Sequence, residues 1–185
     1  MKFLWSSIES VRDIILKSNM NYKLFLITCM VAVSLIVVQA PVASASYKSD
    51  VIEQINSVRK TGAYCGDKWY PPVKKVKHNK KLRRAAKKHS RSMANDNYFS
   101  HYGNTRKTKT PWKRIRKERY YYRAAGEVIA GGHKTPESVV AAWMRSPGHC
   151  RVIMNPRYKH VGVGRTRNSD SRWGIYWVVD FGRKK

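Results

Sequence analysis

Trp173-Gly-Ile-Tyr-Trp-Val-Val-Asp-Phe181, near the end of the chain, settles the architecture. Ile175, Trp177, Val179 and Phe181 alternate with Tyr176, Val178 and Asp180, a period of two that reads as a strand. Both sets are largely apolar, and a strand apolar on both faces is covered on both. Just upstream, Val161-Gly-Val-Gly-Arg-Thr-Arg167 reads as a second strand, joined to the first by the polar turn Asn168-Ser169-Asp170-Ser171. The expected architecture is α/β: a central antiparallel sheet with helices above and below, helices first in the chain and the hairpin last.

The covering helices follow from the 3.6-residue period. Val51, Ile52, Ile55 and Val58 place a first helix over residues 48–60, which Gly62 and Gly66 end before Pro71-Pro72 forces an extended turn. Asn79 caps a second helix, with Leu82, Ala85, Ala86, His89 and Met93 on one face and Lys80, Lys81, Arg83, Arg84, Lys87 and Lys88 mostly on the other. Thr110-Pro111 and Thr135-Pro136 each read as a cap followed by proline at the first helical position. The third helix is expected to turn Trp112 and Ile115 inward, the fourth Val139, Val140 and Trp143.

The 185 residues leave room for one domain and a leader. Residues 1–45 are assigned to an N-terminal extension and leader, residues 46–185 to a single domain. Met20-Asn-Tyr-Lys23, the 15-residue apolar run Leu24–Val38 and the small residues Ala43 and Ala45 read as a secretory signal peptide cleaved near Ala45. The run is shorter than the ~20 residues of a membrane-spanning helix; an uncleaved anchor is the alternative. Residues 1–19 are either a long basic start or an upstream one. Export follows, to the medium, periplasm or envelope. Of the chain's three cysteines, Cys29 falls in the leader, leaving Cys65 and Cys150. A pair in an exported chain reads as a disulfide, with two buried thiols as the alternative. Closing that loop is worth roughly 4–5 kcal/mol in the chain-entropy model.

The charge is extreme: 38 Lys+Arg against 11 Asp+Glu, net +27. Residues 1–45 hold four of the bases and two of the acids, so the remainder keeps a net +25. Such a surface attracts polyanions. Export argues against nucleic acid and for anionic lipid or cell-wall polymer, with peripheral membrane contact.

Three segments place an ionisable group beside tight-turn residues: Tyr98-Phe-Ser-His101, Ala125-Gly-Glu-Val-Ile-Ala130 and Trp143-Met-Arg-Ser-Pro-Gly-His-Cys150. With Leu82-Arg-Arg-Ala-Ala-Lys-Lys-His-Ser-Arg-Ser-Met-Ala94, Thr135–Trp143, Ile153-Met-Asn-Pro-Arg-Tyr158, Val161-Gly-Val-Gly164 and Tyr176-Trp177 through Phe181-Gly182, they form an ordered series. That series resembles the bacterial, SCP-like branch of the CAP superfamily of cysteine-rich secretory, antigen 5 and pathogenesis-related proteins. The resemblance implies a three-layer α-β-α sandwich and a surface cleft lined by two histidines and acidic residues. Residue by residue it points to His101, Glu127 and His149, and it supports a Cys65–Cys150 bridge. Val128 replaces the family's Asn. Ser146 stands where animal and plant relatives carry a second Glu, which leaves three ionisable groups.

Two readings of that cleft stand side by side. In the first, His101, Glu127, Ser146 and His149 line a binding site for an anionic lipid or glycan, and the domain is not an enzyme. In the second, His101 and His149 hold an ion such as zinc, Glu127 acts beside them, and the domain is a metal-assisted hydrolase or protease. His89 is expected in the core, Tyr120–Tyr122 as a packed aromatic edge, and His133 and His160 in loops. Ser100 precedes His101 without making a nucleophile–base pair.

Overall fold

The computed structural model describes residues 46–185. The expectations for the leader, its cleavage and Cys29 lie outside them. Among the described residues no helix is long and apolar enough to cross a membrane.

The order of elements is α1 (Tyr47–Thr61), β1 (Ala63–Cys65), β2 (Lys68–Tyr70), β3 (Lys77–His78), α2 (Lys80–Asn95), α3 (Pro111–Lys117), β4 (Tyr122–Gly131), α4 (Pro136–Arg145), α5 (Pro147–Ile153), β5 (His160–Arg167) and β6 (Ile175–Lys184). The caps are those the sequence offers. Asn79 accepts from the N–H groups of Lys81 and Leu82, Thr110 from Lys113, and Thr135 shares a capping box with Ser138. The main sheet runs β3-β5-β6-β4. Its three long strands are antiparallel as expected, but β3 is a two-residue edge strand parallel to β5, so the sheet is mixed. A separate hairpin, β1–β2, fills the segment read only as a turn.

Alternation along the strands sorts the core into two layers, the expected α/β sandwich. On one face Val128, Ala130, Val161, Val163, Trp177, Val179 and Phe181 pack under Val51 and Ile55 of α1, Val139, Val140 and Trp143 of α4, and Ile153 of α5. On the other, Ile129, Tyr176 and Val178 meet Ala86, Met93 and Ala94 of α2. Leu82, Ala85, Ile115 and Tyr120 continue that layer. The approach of α2 is close: a Cβ on Gly162 or Gly164 would run into its backbone at Leu82–Arg83 and Ala86–Lys87.

Three expectations are corrected. Trp112 is exposed, because the inner stripe of α3 is Pro111, Arg114, Ile115 and Glu118, spaced i, i+3, i+4, i+7, and Trp112 lies off it. His160 is not in a loop: it begins β5, and its Nδ1 meets the hydroxyl of buried Tyr120 at 2.8 Å. Tyr121, unlike Tyr120, is solvent-exposed, so the aromatic edge is only partly packed.

Cys65 of β1 and Cys150 of α5 are disulfide-bonded across a separation of 85 residues. The bridge packs with Met154, Val58 and Tyr70. Nearby, the buried Arg59 of α1 donates to the carbonyls of Lys74, Ile153 and Asn155. Among the described residues no carboxylate pairs with it, and burial lowers its pKa to about 10.

Candidate functional site

The site is built where β4 passes under α3 and the loop between α2 and α3. Strand alternation puts Glu127, two residues before Ile129, on the α2/α3 face, and it is buried there. The carboxylate is held at both oxygens. His101 donates through Nδ1 to Oε1 at 2.8 Å, and Arg114 donates through Nη2 to Oε2 at 2.6 Å. Burial pushes the Glu127 carboxyl up, but the His101 hydrogen bond and the Arg114 charge outweigh it and hold it below the usual range.

Arg114 also fixes the loop that carries the histidine. Its Nη1 donates to the backbone carbonyls of His101 and Thr108, each at 3.0 Å. His89 of α2 lies behind this cluster, buried, with Nε2–H donating to the Ser100 carbonyl at 2.8 Å. Burial drives its pKa down to about 4, so it is neutral at neutral pH. His89 is therefore a core residue, as expected, and it also braces the segment leading to His101. Ser100 is spent locally, its Oγ accepting from the Tyr102 N–H.

The imidazole of His101 is 41% exposed and faces a groove of about 320 Å³ lined by His101, Tyr102, Thr110, Pro111, Trp112 and Glu127. Tyr102 and Trp112 are large exposed aromatics. The groove does not include Ser146 or His149. Ser146 ends α4 and starts α5. His149 is the third residue of α5, half-buried, and among the described residues no hydrogen bond joins it to His101 or Glu127. Burial lowers its pKa, and nearby His101 lowers it further. The second partner of Glu127 is Arg114, not a second imidazole.

This arrangement does not fit zinc. Among the described residues no three His, Cys, Asp or Glu side chains converge as a metal would require. Both oxygens of Glu127 are already engaged, one by the His101 ring N–H and one by the Arg114 guanidinium.

Residues 52–181 match the model of the cysteine-rich secretory protein family, CAP. The chain belongs to the CAP family. Within it, this chain is 35% identical over 142 residues to YkwD of Bacillus subtilis (strain 168), covering 77% of this chain and 49% of the relative. It thus spans about half the length of that relative. Among solved structures, the fold is shared with an extracellular SCP-domain protein of Bacillus anthracis str. Ames (TM-score 0.62, 23% identity, 75% of this chain and 40% of that one). It is shared too with an outer surface protein of Borrelia burgdorferi (TM-score 0.62, 23% identity, 76% of this chain and 96% of that one). The chain is thus a bacterial-type CAP domain.

Sequence reasoning missed one member of the site and one buried acid beside it. Arg114 was hidden in the basic run Lys113–Arg119, where its place on the inner stripe of α3 was the signal. Asp180, directly opposite Glu127 in the sheet, was noted only as part of a strand, although it interrupts the covered apolar face of Tyr176 and Val178.

Proposed function

We propose that this CAP domain works outside the cytoplasm as a binding protein for an acidic glycan of the cell envelope, held in the groove beside His101. The observation that carries the reading is the pairing of exposed aromatics with exposed cations. Tyr102 and Trp112 wall the groove, while Arg106, Lys107, Lys109 and Lys113 stand exposed on the same loop and helix. Aromatic faces stack on the C–H faces of sugar rings, and a concentrated positive field holds acidic substituents. An anionic lipid surface would use the cations but would not need two aromatic walls around a half-exposed histidine. Export is supported by the leader-like residues 20–45 and by relatives described as extracellular or outer-surface proteins.

The test is calorimetric titration of the protein with polygalacturonate, and separately with phosphatidylglycerol vesicles, at rising salt. Binding to the polyuronate is expected, weakening steeply as salt screens the field. Tyr102→Ala or Trp112→Ala should weaken it about tenfold, the equivalent of one stacking contact. Binding to vesicles alone, or polyuronate binding indifferent to both aromatic substitutions, would overturn the reading.

A further inference from the structure

Asp180 is completely buried, and neither of its carboxyl oxygens has a hydrogen-bond donor among the described residues. The sheet says what it faces. In the β4–β6 register Asp180 lies directly opposite Glu127, and in the β5–β6 register opposite Gly162, which brings no side chain. Directly opposed residues in an antiparallel pair project to the same face with Cβ atoms roughly 4.5–5.5 Å apart. Asp180 and Glu127 therefore stand side by side in the layer under α2 and α3.

The charges facing that pair come from each element packed on it. Arg114 reaches in from α3 and is committed to Glu127. His89 faces it from α2 but is neutral, and His101 from the intervening loop donates to Glu127. Among the described residues no second cation faces the pair: the Arg114 charge reaches Asp180 as well, but its one unpaired nitrogen, Nε, makes no hydrogen bond to it. Two adjacent carboxylates in a dry site cannot both ionise, and two ionised acceptors leave no donor between them. A single proton removes both difficulties.

We propose that Asp180 carries its proton and donates it to Glu127, which makes it a positioning residue of the His101 site. Glu127 is then held from three directions, by Asp180, Arg114 and His101, and its orientation fixes the imidazole at the groove. This inference goes beyond the glycan reading and stands whether or not a polymer binds. Burial, and then the neighbouring Glu127 charge, push the Asp180 carboxyl well above its usual range. An acid raised on folding contributes stability that is fully present below its unfolded value, about 3.9, and lost as pH rises toward its folded value.

Infrared difference spectra of wild type and Asp180→Asn at pH 7 read the proton directly. The carbonyl band of a protonated carboxylic acid should be present in wild type and missing from the variant. A wild-type spectrum without that band overturns the proposal. Should Asp180→Asn fail to fold, the carboxyl ¹³C titration of Asp180 in wild type decides: no transition near pH 4 supports the proton, an ordinary transition there overturns it. In the folded variant, the folding constant relative to wild type should rise from pH 4 upward by up to about tenfold per pH unit. His89 titrates in both proteins and cancels in the ratio, and Glu127 is held below this range; a flat ratio counts against the proposal. The positioning role is read at His101. Solvent exchange of its Nδ1–H should be about tenfold faster in Asp180→Ala and return to the wild-type rate in Asp180→Asn, whose amide still donates. Equal rates in the two variants would leave Asp180 without that role.

Discussion

The two faces of one sheet divide the work. Under α1, α4 and α5 the strands present a mainly apolar surface, where the Trp143 Nε1–H donates to the Ile129 carbonyl at 2.9 Å and Arg165 lies over the Trp177 ring at its end. Under α2 and α3 the same strands, one residue out of phase, bury Glu127 and Asp180 against His89 and Arg114. The first face holds the fold by removing apolar area from water. The second spends some of that stability to hold charges beside a solvent-exposed imidazole. A polar cluster of this kind is tolerable because the other face carries the packing.

Substitutions that remove one large contribution from each face should sharpen the contrast. Trp143→Ala on the apolar face and Arg114→Met on the polar face are each expected to cost about 3–5 kcal/mol in urea unfolding, the first through a cavity, the second by stranding Glu127. They should part company in combination: adding Glu127→Gln recovers much of the loss in Arg114→Met and none in Trp143→Ala. Equal behaviour in the two backgrounds would erase the distinction. Next in size is the pH response of the polar face. His89 has a folded pKa of about 4, below its unfolded value, so the folded state binds fewer protons in between. Relative to His89→Gln, wild type should lose roughly 3 kcal/mol as pH falls from 6.5 to 4, and no more below that. Gly164→Ala, which forces α2 off β5, should cost about 1–3 kcal/mol by thermal unfolding. Smallest on stability is Lys107→Gln with Lys109→Gln, within about 0.5 kcal/mol. The same pair should visibly weaken polyuronate binding in the titration above.

Much of the apolar face was legible in the sequence, because it rests on local signals. The Thr135-Pro136 cap placed α4, and the alternation of Ile175, Trp177, Val179 and Phe181 placed the central strand. The β4 strand was not legible from its own residues: Gly126, the two alanines before it and Glu127 lack the β-branched pattern until Val128 and Ile129. Helix α5 was read as a turn because Pro147-Gly148 normally signals one; here proline occupies the first helical turn instead. The site was half legible. The ordered motifs brought out His101 and Glu127, and the structure joins them. They also brought out His149, which among the described residues makes no hydrogen bond to either. Arg114 and Asp180 were not legible because a buried charge looks like any other until its helix stripe or strand phase is known.

Burial is not even-handed between the signs. Glu118, Glu127 and Asp180 are withdrawn from the surface, whereas Arg59 and Arg114 are the buried bases. A third of the nine acids in residues 46–185 is thereby hidden, against a small fraction of the bases. The face that water meets is more lopsided than the residue count implies. In dilute salt a particle like that should cross an anionic mesh by repeated capture and release, its travel from the point of release set by the density of fixed negative groups it meets.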